Sequence, residues 1–193
     1  MVNQNIRFIG QSKQLEPIFA RTITAQGHHR FCEAIKAQEA TIVGSCIIDD
    51  VVQMKKIKSG GHLTINRAKL EELIVTGTLS AKHIQTKDIF VRGKIRVDHL
   101  EAEHGEIIMK CTCHIGKMNV EKLLIKKGFS FSSRLVSESI TGKYIQLTHT
   151  QANTVRGEHV VLGENCEINT LYYTEQYTIA KSSSAIRIVK EVL

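Results

Sequence analysis

Two groupings of side chains have types and spacing that could do chemistry. Cys111-Thr112-Cys113-His114 puts two thiols and an imidazole in one short run. Thiolates and neutral imidazoles hold tetrahedral zinc, but a closed site takes four ligands. No second pair with matching spacing occurs in the 193 residues. Arg67, His83, His99 and Lys117 recur at nearly even spacing. No carboxylate or thiolate joins that frame, so the four read as a solvated basic edge. No Ser/His/Asp set, catalytic carboxylate pair or phosphate-cradling glycine loop is visible. The chain is therefore read as no enzyme, with no catalytic residue, no metal and no cofactor.

The elements that would position these residues are repeats. Leu73–Ala81, Ile89–Val97, Ile107–Ile115 and Leu123–Phe131 say nearly the same thing, at steps of 16, 18 and 16. Helical repeats need about 33 residues or more, so a period near 16 suits one coil of a parallel β-helix. Carried backwards at 16, the frame gives a column of Phe31, Ile47, Leu63, Leu79, Ile95, Cys113 and Phe129, and a second of Val52, Ala68, Ile84, Leu100 and Met118. Such columns bury their apolar side chains only by stacking coil on coil. Cys113 then fills a Leu/Ile column and Cys111 a column of Gly61, Gly77 and Gly93. A small buried hydrophobe explains both cysteines better than a metal ligand does. The glycines read as a corner, where a bend and close backbone approach favour glycine.

Composition agrees with a continuous sheet. Pro17 is the only proline, and proline cannot donate to a strand ladder. Five cysteines, an odd number, argue against a disulfide framework. No apolar run approaches the roughly 18 residues that mark a transmembrane helix, so none is expected. A signal-peptide core is also missing, and a cytoplasmic location is expected. The net charge of +7 is neither concentrated in a basic run nor interleaved with aromatics, so no nucleic-acid partner is expected.

Two outward columns carry further expectations. Lys55, Glu71, Lys87 and Glu103 alternate in sign and should support the register. Ile42, Ile74, Phe90, Ile108 and Leu124 form an outward apolar column, interrupted by Lys58. Such a stripe calls for a cover, supplied by Phe8, Ile9, Ile18 or Phe19 of the N-terminal segment or by a second protomer. Residues 1–22 read as an N-terminal tail, 23–180 as the β-helix domain and 181–193 as a C-terminal segment. Ser132–Lys143 is polar and loosens the frame as an insertion would, with the period resuming at Tyr144. The first coil opens on Ile23, Phe31 and Ile35; the last carries Leu171, Tyr172, Tyr173 and Tyr177. These seven form the expected self-assembly interface, since each end of a β-helix exposes unpaired backbone and a slice of core. At a period near 16 the chain is expected to make about nine coils.

The tandem L-x-V-x-G-x-L units resemble bactofilins, bacterial polymer-forming cytoskeletal proteins. The stretch Ile145-x-Leu147-x-x-Thr150-x-Ala152-x-x-Val155-x-Gly157-x-x-Val160-x-Leu162-Gly163-x-x-Cys166-x-Ile168, followed by Tyr173, is similar to the closing segment of a bactofilin-related branch of Gram-positive bacteria. The likeness spans about residues 25–180. It implies a single-stranded right-handed parallel β-helix, a solenoid. It also implies nucleotide-independent, end-to-end assembly of the chain with itself, and attachment of the N-terminal tail to the inner face of the membrane.

Two alternatives stay open. A non-polymerising scaffold or binding module could present the basic column to a membrane. A β-helix enzyme is the third class: Leu162–Ile168 fits one hexad of the hexapeptide acyltransferases, and Ile42–Ile47 fits it less well.

Overall fold

The computed structural model describes residues 4–130 and 132–192. Residues 1–3 of the expected tail, Phe131 of the fourth repeat unit and Leu193 of the C-terminal segment lie outside the described residues. The described chain is all β. Its strands are β1 (Asn5–Gln14), β2 (Ile18–Phe19), β3 (Thr22–Phe31), β4 (Ile35–Lys36), β5 (Glu39–Gln53) and β6 (Lys56–Lys69). They continue as β7 (Glu72–Met109), β8 (Cys113–Lys127), β9 (Leu135–Leu147), β10 (Thr150–Leu162), β11 (Glu167–Ile179) and β12 (Ser184–Lys190). All pair in parallel, in the order β1-β3-β5-β6-β7-β8-β9-β10-β11-β12, with β2 and β4 pairing beside that path. The result is a β-solenoid of about 11 turns with about 17 residues per turn. At a strand spacing of about 4.8 Å the rod is about 50 Å long.

Alternation places the core. Along β6 the side chains of Ile57, Leu63 and Ile65 are buried while Lys58, His62 and Thr64 face out. Successive side chains of a strand point to opposite faces, and an inward residue meets its equivalents one coil above and below. The column Val52–Ala68–Ile84 is in register, and so is Leu100–Met118. It continues to Ile18 and Ile35 at one end and through Ile140 and Val155 to Leu171 at the other.

The period is not constant, and this corrects several expectations. Asn5 pairs Thr22, Thr22 pairs Glu39 and Glu39 pairs Lys56, each a step of 17; Lys56 pairs Glu72, a step of 16. The register shifts between Ile48 and Val51, so Cys46–Leu63 steps by 17 while Val52–Ala68 steps by 16. A one-residue slip turns a side chain from core to solvent. His29 and Cys46 therefore head the Leu63–Leu79 column in place of Phe31 and Ile47. Phe31 instead stacks on Ile48, and Ile47 faces outward. Ile42 leaves the expected outward column and is buried, stacked on Ser59 beneath Val75.

Two insertions follow. Lys110 N–H donates to Gly93 O at 3.0 Å and His104 contacts Asp88, both at a step near 16, yet Arg96 pairs His114, a step of 18. Cys111 lies in the added residues between β7 and β8, not in the glycine column. The second insertion stretches the step to 22, with Cys113 pairing Leu135. The sheet resumes at Leu135, earlier than Tyr144. Phe129, expected inside, stands in that segment 96% exposed.

Both terminal segments belong to the solenoid, from Asn5 at one end to Lys190 at the other. Residues 5–19, expected as a tail, form β1 and β2, and β12 continues the sheet to Lys190. This is why the turns number about 11 and not nine. The N-terminal apolar residues do not cover an outward stripe. Phe8 packs edge-on against Phe31 at 5.3 Å, and Ile18 stacks on Ile35.

Candidate functional site

Three features stand out from the repetitive body: its two ends and one corner. At the N-terminal end β1 pairs with β3 on one side only among the described residues. Ile6 and Phe8 are half-buried against the core, while Ile9 (66%), Leu15 and Phe19 are exposed. Ser12 Oγ lies 2.8 Å from His29 Nδ1, and His29 Nε2 is buried with no partner among the described residues. At the C-terminal end β12 pairs with β11 alone among the described residues. Ile186 is 83% exposed, and Ile188 and Val192 are exposed with it.

Six of the seven residues expected at the ends sit one coil inside them, while Tyr177, beyond the stretch of β11 that β12 covers, stays exposed. Ile23 and Ile35 are buried beneath Ile6 and Ile18, and Phe31 lies against Phe8. Leu171 is buried under Ile188. Tyr172 is half-buried beneath the Arg156 guanidinium, 4.8 Å from its ring centre. Tyr173 packs on the exposed Tyr177 with ring centres 4.6 Å apart. Because the sequence frame left one coil unseen at each end, it named covered residues as open ones, Tyr177 excepted. The alternating signature of β1 and β12 was the available signal.

The outward columns divide. Arg67 pairs His83 and His99 pairs Lys117 in register, with the two imidazoles 6.2 Å apart, so the basic column exists as one line. In the apolar column Ile74, Phe90 and Leu124 are half-buried outward residues, but Leu124 lies over Glu106 and Ile108 over Lys126. Ile108 is thus one pleat aside. In the acidic-basic stack Lys55, Glu71 and Lys87 follow one another by backbone bonds. One position along, Lys56 forms an ion pair with Glu72.

Cys113 is fully buried, and its thiol donates weakly to the carbonyls of Gly93 and Cys111 at 3.6 and 3.5 Å. Burial pushes its pKa up to about 11, and that of Cys46 up to about 12. In both, burial disfavours the thiolate and the thiol packs as a core side chain.

The corner is polar and was missed by the sequence reading apart from the loosened frame at Ser132. It lies where the insertion before β9 meets the turns after β9, β10 and β11. His149 (φ 50°) and Asn165 (φ 53°) both adopt left-handed backbone, rare outside glycine. Their side chains hold each other, with Asn165 Nδ2 3.0 Å from His149 Nε2. Cys166 N–H donates to Ser183 Oγ at 2.7 Å, and the Ser183 hydroxyl donates to Gly163 O. Arg134 reaches Glu167 at 3.2 Å and Gln151 at 3.3 Å. Between these turns opens a cleft of about 640 Å³. Desolvation, then the nearby charge of Lys127, holds the His149 pKa below its ordinary value; Arg134 adds to this and Glu164 opposes it.

The chain is similar to two proteins of Bacillus subtilis (strain 168). It is 36% identical to the uncharacterized protein YhbE over 76 residues, 39% of this chain and 30% of that protein. It is 33% identical to the uncharacterized protein YhbF over 64 residues, 31% of this chain and 27% of that protein. The chain thus spans less than a third of the length of either relative. No family model matches, and no solved structure matches.

Proposed function

We propose that this chain is a bactofilin-like structural protein whose solenoids join end to end, without nucleotide, into a cytoskeletal polymer of the bacterial cytoplasm. The observation that carries this reading is the pair of one-sided edge strands, β1 and β12, each beside exposed large apolar side chains. An edge strand presents unpaired N–H and C=O groups that template pairing with another chain. Repeat proteins that remain monomeric close such ends with polar caps, and here Ile188, over the buried Leu171, stands where a cap would be polar. Joining two ends extends the sheet and buries both apolar slices. Burial of apolar surface is favourable by itself, so no hydrolysed nucleotide is required. The in-register line of Arg67, His83, His99 and Lys117 favours a second reading, a scaffold that lays this edge on an anionic membrane and does not polymerise.

Negative-stain microscopy and light scattering over a salt series test the two readings. Filaments or rods several solenoids long are expected from the intact protein, and Phe8→Arg or Ile188→Arg should shorten or abolish them. Filaments unchanged in both variants contradict end-to-end assembly. A protein that stays monomeric when concentrated, and binds anionic vesicles through Arg67 and Lys117, supports the scaffold instead.

A further inference from the structure

The corner cleft is built differently from the rest of the surface. Its lining is positive: Lys127, Arg134 and Lys181 outnumber Glu167. It is rich in hydroxyls, from Ser132, Ser133 and Ser182 to Ser184. Its volume falls within the range of about 300–1,000 Å³ typical of small-molecule sites.

Two donors in its walls have no partner among the described residues. Ser133 is 2% exposed, and its hydroxyl has no hydrogen-bond partner among the described residues. With Asn165 Nδ2 donating to His149 Nε2, the ring proton sits on Nδ1, which is also buried without a partner among the described residues. Leaving a buried donor unpaired is unfavourable, and two at one cleft call for acceptors from outside. A phosphoryl group supplies three strong acceptor oxygens and the charge that Arg134 and Lys181 complement. The lowered pKa of His149 reflects its burial first and then the same positive surroundings.

We propose that this corner binds a small phosphoryl-bearing ligand, with the phosphoryl oxygens on Arg134, Lys181 and the Ser133 hydroxyl. The inference does not rest on end-to-end assembly. The phosphoryl group can belong to a soluble phosphomonoester or to a lipid headgroup, and the two sources are separable.

Equilibrium dialysis of the full chain against radiolabelled inorganic phosphate and glycerol 3-phosphate tests the soluble source. Co-sedimentation with phosphatidic acid vesicles, against phosphatidylcholine vesicles, tests the lipid. Saturable binding of one equivalent per chain is expected in at least one arm. Arg134→Gln and the exposed Lys181→Gln should each weaken it about tenfold or more, the scale of one charged hydrogen bond. Ser133→Ala is the variant that separates ligand binding from structure: it should weaken binding while leaving Tm unchanged or raised, because it deletes an unpaired buried hydroxyl. Absence of saturable binding in both arms overturns the proposal. So does binding that all three variants retain, or a Ser133→Ala protein that melts earlier and binds as before.

Discussion

The solenoid turns the same edge of its coil in two ways. From Gly27 through Gly44, Gly61 and Gly77 to Gly93 the corner is backbone alone, each glycine at positive φ over the one before. A Cβ on Gly77 would overlap the carbonyl oxygen of Gly61. Further up the same edge Lys127 lies over Met109, and the next coil brings His149. There L residues hold left-handed backbone, and side-chain bonds replace the missing glycine. Where the glycines stack, the backbone packs on itself and the corner presents no side chain. Where the step jumps to 22 and then falls to 15, between Leu135 and Thr150, the turns no longer nest and a cleft opens. The polar cleft of this molecule lies where the repeat breaks.

The two corners should respond oppositely to substitution. Gly77→Ala is the larger effect, because it forces both an unfavourable φ and a backbone overlap that no rotamer relieves. A loss of about 3 kcal/mol or more is expected by denaturant unfolding. A Gly77→Ala protein as stable as the parent would show that the glycine corner is not a close-packed ladder. Asn165→Gly should change stability by no more than about 1 kcal/mol, since relief of left-handed strain offsets the lost bond to His149.

The smallest effect is the pH dependence of the polar corner. His149 resists protonation in the folded chain, while the unfolded chain takes up its proton near the ordinary value of 6.5. More protons on the unfolded state mean that stability falls as pH falls through that value. The fall levels off once the folded imidazole is also protonated. His149→Gln should flatten the difference in Tm between pH 7.5 and pH 5.5. An unchanged slope would remove His149 from the groups that sense this corner.

How much of this was legible in the residues depended on constancy of coil length. Val52, Ala68, Ile84, Leu100 and Met118 were read in their true column, because the register shift at Ile48–Val51 lies before Val52. Residues on the other side of that shift, such as Phe31, Ile42 and Ile47, were displaced by the one residue that each early coil adds. Apolar alternation looks the same at 16 and 17 until a second column is aligned. Cys113 was read in the core, where it lies, whereas Cys111 was read into the glycine column and falls in an insertion. Arg134, His149, Asn165 and Lys181 follow one another at 15, 16 and 16 residues, close to the coil period, but their unlike side chains make no apolar column, and the frame was lost across Ser132–Lys143 just where they begin. Nothing in the local sequence marks Ser133 as buried.

The ends differ from every interior coil in one measurable respect: the outer N–H groups of β1 and β12 have no ladder partner among the described residues. Amide hydrogen exchange as a function of protein concentration reads those groups directly. If the ends pair, exchange in β1, β12 or both slows as concentration rises, while the interior strands β6 and β7 stay equally protected throughout. Exchange in both end strands that remains fast and independent of concentration, under conditions where the protein is folded, would contradict end-to-end assembly.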